Sequence, residues 1–308
     1  MKSSIITTFA STSLFAVSGV QAWGVLGHQT VALVAQSFLL PTTIKKVQSV
    51  LNDTSSSYMG NVATWADQFR SQPGQGWSAG LHYIDPLDGP PPESCVIHEM
   101  DCPAGGCVLS ALANYTARVQ DTKLDVADRA QAMKFIIHFM GDIAQPLHTE
   151  EWGQGVNNLT VFFKGYKTNM HAAWDTSIPN SMLSLAPTAN ITMDNSFSLA
   201  DQLHTAIKSG EYKQNVTSWV HPWHIKARNP YSAENTTEAI ATTFAQESNN
   251  YVCGYALSSP DGPNSYNGTE IGGQYTNGAV PIIRISLARA GVRLAAWLNL
   301  IYTGKTGF

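Results

Sequence analysis

Apolar residues recur three and four positions apart in seven segments: Gly27–Leu39, Thr42–Leu51, Leu109–Val119, Val126–Gly141, Phe197–Ser209, Glu234–Ala256 and Val280–Tyr302. That is the period of a helix burying one face. Strand-like alternation is scarce, and Leu159–Lys164 is the best candidate for a short hairpin. The pattern predicts an all-α fold, a single compact multi-helix domain with at most that hairpin. Turn residues gather in Asp85–Glu93 and Ser258–Gly273, which read as loops. No internal repeat, charged tail or low-complexity linker interrupts the chain.

The first 22 residues follow a different pattern: one lysine, a short apolar stretch rich in Ser and Thr, and a small-residue end at Val20-Gln21-Ala22. The stretch is too short to span a bilayer and reads as a secretory signal peptide. On this reading residues 1–22 are removed, Trp23 becomes the new N-terminus, and residues 23–308 form one extracellular domain. Seven Asn-x-Ser/Thr triplets, at Asn52, Asn114, Asn158, Asn190, Asn215, Asn235 and Asn267, agree with export. So do four cysteines with no CxxC spacing, which point to disulfides. Cys102 and Cys107 flank a Pro-Ala-Gly-Gly turn that would close a small loop, leaving Cys95 for Cys253.

The formal charge is −4, and cleavage would remove Lys2 and make the chain more acidic. Such a balance argues against a broad basic surface that grips long duplexes. Any phosphate site must be local, and metal ions are its natural source of positive charge.

Candidate metal ligands are plentiful. His138 and Asp142 stand four apart in FIIHFMGDIAQPLHTEEW, on one face of a helix, and His148 follows just beyond Pro146. His171 and Asp175 repeat the spacing in NMHAAWD. The bland reading is a His–Asp pair on a helix surface. It weakens for His138 and Asp142, whose neighbours are Phe135, Ile136, Ile137, Phe139, Met140 and Ile143, where an uncoordinated charged pair carries a large desolvation cost. His28, Asp67 and His82 extend the set to five histidines and three aspartates, an oxygen-and-nitrogen set suited to several Zn²⁺ ions. His98, His204, His221 and His224 read as surface or core histidines.

Six motifs in order, WGVLGH, ATWAD, LHYID, HFMGDIAQPLH, the turn at Gly155–Asn158 and NMHAAWD, resemble the fungal and plant zinc-dependent single-strand nucleases, the S-one/P-one group. Their metal site is similar to that of bacterial zinc phospholipase C. The resemblance covers the chain from Trp23 to the last helix. It implies three zinc ions: one held by Asp67, His82, His138 and Asp142, one by His148, His171 and Asp175. The third would be held by the amine and carbonyl of Trp23 with His28 and a bridging Asp142. It also implies a catalytic pair of Asp67 and Arg70, Arg70 meeting the phosphate, with Tyr83 stacking on a base, Asp85 bonding the base edge and Asn157 near a phosphate. This chain departs from the family at Gly155-Val156-Asn157, where Gly-Gly-Asn is usual, and at Tyr83, where phenylalanine is usual.

The implied activity is hydrolysis of single-stranded DNA, RNA and short oligonucleotides to 5′-phosphorylated products by a secreted monomer with no membrane partner, with 3′-nucleotidase activity as a further option. Single-strand preference has a physical basis, because a base stacks on Tyr83 only when free of its duplex neighbours. Two other readings compete: a zinc phospholipase C, which needs an apolar lip for acyl chains, and a secreted protein whose zinc is purely structural. Structural sites usually use thiolates in closed shells, unlike the three-ligand set of His148, His171 and Asp175.

Overall fold

The computed structural model describes residues 23–220 and 236–308. Residues 1–22, expected to be a signal peptide, and His221, His224 and Asn235 lie outside the described residues. The first half of the described chain contributes α1 (Val25–Ser37), α2 (Pro41–Leu51), α3 (Trp65–Arg70), α4 (Val108–Gln120) and α5 (Val126–Asp142). A single turn, α6 (Trp152–Gly155), precedes the antiparallel hairpin of β1 (Thr160–Phe163) and β2 (Tyr166–Asn169). Then come α7 (Met170–Ala172), α8 (Ile178–Met182), α9 (Met193–Lys208), α10 (Val216–Val220), α11 (Thr236–Tyr251) and α12 (Gln274–Thr303). The fold is all-α with one short hairpin, as the apolar periods imply.

The central element is α12, buried without a break from Ser286 to Asn299 and packed against α1, α2, α5, α8, α9 and α10. Its apolar period was legible from Val280, but the helix begins at Gln274 and runs through Pro281, which lacks the N–H that a helix interior uses. Gly291 lets α1 cross it closely. A Cβ there would stand 2.4 Å from Val34 Cγ1 and 3.3 Å from the Val31 carbonyl.

Two disulfides fasten the loop-rich side. Cys95–Cys253 ties the segment after Asp85 to the π-turn Val252–Ala256 that follows α11, and Cys102–Cys107 closes the entry to α4. No helix among the described residues is long and apolar enough to cross a membrane. All six described sequon asparagines are exposed.

Gly291→Ala should destabilise the fold by about 1–3 kcal/mol, because Val34 and the α1 backbone have no room to yield. Thermal unfolding of the variant checks this; an unchanged midpoint would mean that the crossing is looser than described.

Candidate metal centre

Seven elements bring the ligand candidates together. α1 supplies His28, α3 supplies Asp67, and the 3₁₀ turn Gly76–His82 ends on His82. The last turn of α5 carries His138 and Asp142, one helical turn apart, and the 3₁₀ turn Pro146–Thr149 carries His148. His171 lies in α7, while Asp175 lies in the π-turn Ala173–Ser177 that joins α7 to α8. All eight side chains are buried.

Around Asp142 the spacing is tight. His82 Nδ1 is 2.9 Å and His138 Nε2 3.3 Å from Asp142 Oδ2, while His28 Nε2 is 3.3 Å from Oδ1. Asp67 Oδ1 closes the group at 3.8 Å from His82 Nδ1 and 3.7 Å from His138 Nε2. A tetrahedral ion with bonds of about 2.0–2.1 Å places neighbouring ligand atoms roughly 3.3 Å apart, so this is the separation expected of groups facing a common zinc-sized cation. Asp142 presents one oxygen to His28 and the other to His82 and His138, which suits a bridging carboxylate.

A second group lies alongside. His171 Nε2 is 3.2 Å from Asp175 Oδ2, and the His148 and His171 rings are 4.9 Å apart. His148, His171 and Asp175 offer ligand atoms within 4.8 Å of one another, as do His82, His138 and Asp142, and His28, Asp67 and His138. The last triple puts His28 beside Asp67 as well as Asp142.

The far sides of the rings are held by backbone. His138 Nδ1 donates to the Ala63 carbonyl at 2.7 Å, His148 Nδ1 to the His82 carbonyl at 2.9 Å, and His171 Nδ1 to the Gly155 carbonyl. Each bond fixes the tautomer and leaves Nε2 as the lone-pair nitrogen facing the cluster. His28 stacks on His138 with centroids 3.8 Å apart. Gly141 makes room for it, since a Cβ there would stand 2.8 Å from His28 Nδ1.

The chemistry of the set fits a divalent cation. Facing the cluster, His28 Nε2, both Asp142 oxygens, His148 Nε2 and His171 Nε2 are buried without a hydrogen-bond partner. Burial pushes the His28 and His171 rings down to about 4 and His82 and His148 well below their usual range, so they are neutral ligands at physiological pH. Burial also drives the Asp142 and Asp175 carboxyls well above the usual range. A cation among them reverses that cost and favours the carboxylate.

Trp23 is fully buried against α1, where a Cβ on Gly27 would stand 2.6 Å from the Trp23 Cβ. The next residue is anchored too, because Gly24 N–H donates to the Asp175 carbonyl at 2.8 Å. Arg70, with its side chain 10% exposed, sets Nη2 2.9 Å from Asp67 Oδ1, at the rim of the cluster. Tyr83 is 37% exposed, one residue beyond His82. Asp85 is half-buried, and burial together with Glu151 raises its carboxyl to about 6. Asn157 donates its side-chain amide to the Gln154 carbonyl within its own turn at 2.8 Å.

That turn makes the valine at position 156 costly. Gly153, Gln154, Gly155 and Val156 have φ of +63°, +59°, +61° and +64°, a left-handed turn in which the Gly155 carbonyl reaches His171. A β-branched residue at such a φ is strained. The sequence reasoning passed over Gln145, fully buried and bonded to Asp175, and Glu150, a buried carboxyl raised to about 7 chiefly by burial. The available signal was polarity out of place, above all Gln145 inside Ile143-Ala144-Gln145-Pro146-Leu147.

The S1/P1 Nuclease family profile matches residues 23–303. The chain belongs to the S1/P1 nuclease family. It is 36% identical to Nuclease PA3 of a Penicillium species over 282 residues, covering 91% of this chain and 98% of the relative. It is likewise 36% identical to Nuclease P1 of Penicillium citrinum over the same shares. Nuclease S1 of Aspergillus oryzae is 38% identical over 284 residues, 91% of each chain. These relatives favour the nuclease reading over the phospholipase C reading.

Removing metal with a chelator should lower the unfolding midpoint by about 8–16 °C per ion lost, from roughly 4 kcal/mol of linkage at a thousandfold excess over Kd and 2–4 °C per kcal/mol. Calorimetry before and after chelation, and again after adding zinc, measures it.

Proposed function

We propose that this nuclease is a secreted endonuclease that hydrolyses the phosphodiester bonds of single-stranded DNA and RNA, leaving 5′-phosphates, with three zinc ions at the centre. The observation that carries the proposal is the convergence of five histidines and three aspartates at ligand-to-ligand spacing in a chain of this family. Asp67, His82, His138 and Asp142 would hold one ion; His148, His171 and Asp175 a second; Trp23, His28 and Asp142 the third. When bound, zinc supplies a Lewis acid and a water acidic enough to deprotonate near neutral pH.

The chain's own residues do the rest. Three ions carry six positive charges against three carboxylates, so a phosphate diester is drawn to one point of an otherwise acidic protein. Arg70 stands at the rim with its Nη2 on Asp67 and has further N–H groups with which to bond an equatorial phosphate oxygen. Tyr83 offers its ring to an unpaired base, and the Asp85 carboxyl lies two residues on to meet that base's N–H donors. Duplex bases would first have to unstack, which favours single strands. With no broad basic groove, few nucleotides are held and sequence is read weakly.

The N-terminal ligand ties maturation to activity. An α-amine binds metal only when it is free and deprotonated, so residues 1–22 must be cleaved for the third ion to bind. That the family match starts at Trp23 supports this reading, as does the burial of Trp23 beside the cluster. Residues 23–308 would then act as one extracellular, monomeric domain, with glycans on the exposed sequons.

Zinc-dependent cleavage of single-stranded DNA and RNA, assayed beside lecithin, tests the proposal: cleavage abolished by chelation and restored by zinc is expected, and hydrolysis of lecithin alone would overturn it. Arg70→Met should lower kcat roughly 10²–10³-fold, the loss typical of one transition-state donor, with a smaller change in KM. A chain carrying one extra residue before Trp23 should contain one zinc fewer and lose most of its rate; full zinc content and rate would remove the amine from the site.

A further inference from the structure

We propose that Gln145 is the positioning residue of the second metal site, fastening its two halves to each other with one side-chain amide. The proposal rests on the zinc-nuclease reading above and adds a residue to it. The second site draws His148 from the 3₁₀ turn after α5, and His171 and Asp175 from α7 and the π-turn behind it. α6 and the hairpin separate these segments in the chain, and the bond from His171 Nδ1 to the Gly155 carbonyl ties His171 to the turn that follows His148. Gln145, fully buried, spans the gap: its Nε2 donates to Asp175 Oδ1 at 2.6 Å, and its Oε1 accepts from Leu147 N–H, also at 2.6 Å.

The amide's orientation is settled by the second bond. Leu147 N–H is a donor, so the oxygen of the amide must face it and the NH₂ must face Asp175. The consequence at Asp175 is a division of labour between its oxygens. Oδ1 is engaged by Gln145, and Oδ2 faces His171 Nε2 at 3.2 Å as the free ligand atom. The backbone of the same residue is gripped from the other side, where Gly24 N–H reaches its carbonyl at 2.8 Å. Asp175 therefore enters the site as a one-oxygen ligand with its rotamer locked, and Leu147 holds the neighbouring His148 in the same frame.

A glutamate at this position is isosteric and keeps the acceptor for Leu147; ionised, it cannot donate and sets a second carboxylate against Asp175, and protonated, it must share a proton with Asp175 where the amide gave two N–H groups. A leucine removes both bonds while filling the space. Outer-sphere partners of this kind typically contribute 10–100-fold in metal affinity. Zinc content of the purified full chain, measured by mass spectrometry along a chelator titration, reads the effect directly.

Gln145→Glu and Gln145→Leu should each release one zinc per chain at 10–100-fold lower free chelator than the wild type, the remaining zinc being released as before. In the wild-type holoenzyme the Gln145 side-chain amide protons should exchange at least 100-fold more slowly than those of a free glutamine, a measurement that does not depend on either variant folding. Release curves that coincide with the wild type, or amide exchange at the free rate, would overturn the proposal while leaving the nuclease reading intact. A wild-type chain that binds no zinc and cleaves nothing would instead sink the reading on which it rests.

Discussion

Everything in this protein is arranged around the cost of burying Asp142. A carboxylate with no access to water, facing His28 on one side and His82 and His138 on the other, is untenable in an apolar helix end unless a cation shares it. The same group that is most expensive to bury is the one that joins the most ligands, so metal binding and folding are a single thermodynamic problem here. α5 carries Asp142 at its C-terminal turn, and the packing of α1, α3 and α12 around α5 is what brings the other ligands within reach.

Backbone carbonyls aim most of the imidazole rings. Ala63, His82 and Gly155 each receive an imidazole N–H, so three of the five rings are aimed by loops, not by their own helices. This division lets ligand identity be written into short motifs while ligand direction is set by the fold.

Much of the fold was legible because seven helices have long apolar faces, and their ends fall within a few residues of the expected ones. The exceptions have physical causes. α12 starts earlier than its apolar period because its first turns are partly exposed, and α11 yields to a π-turn at Val252 where Cys253 must meet Cys95. α3, α7 and α8 are too short to show a period at all. At the centre, His138–Asp142 and His171–Asp175 stood out because their spacing is local. His28, Asp67 and His82 carry no such signal alone and gain weight only as members of the whole histidine and aspartate set. Gln145 was missed because its meaning depends on a residue 30 positions away.

The left-handed turn from Gly153 to Val156 has a consequence for proton placement. Four successive residues of mirror-image twist turn the Gly155 carbonyl inward, where it captures the hydrogen on Nδ1 of His171. A right-handed turn of the same length would aim that carbonyl elsewhere and leave the ring free to carry its hydrogen on the opposite nitrogen, the one a cation needs bare. The chirality of a short connecting loop thus selects the tautomer of a buried imidazole.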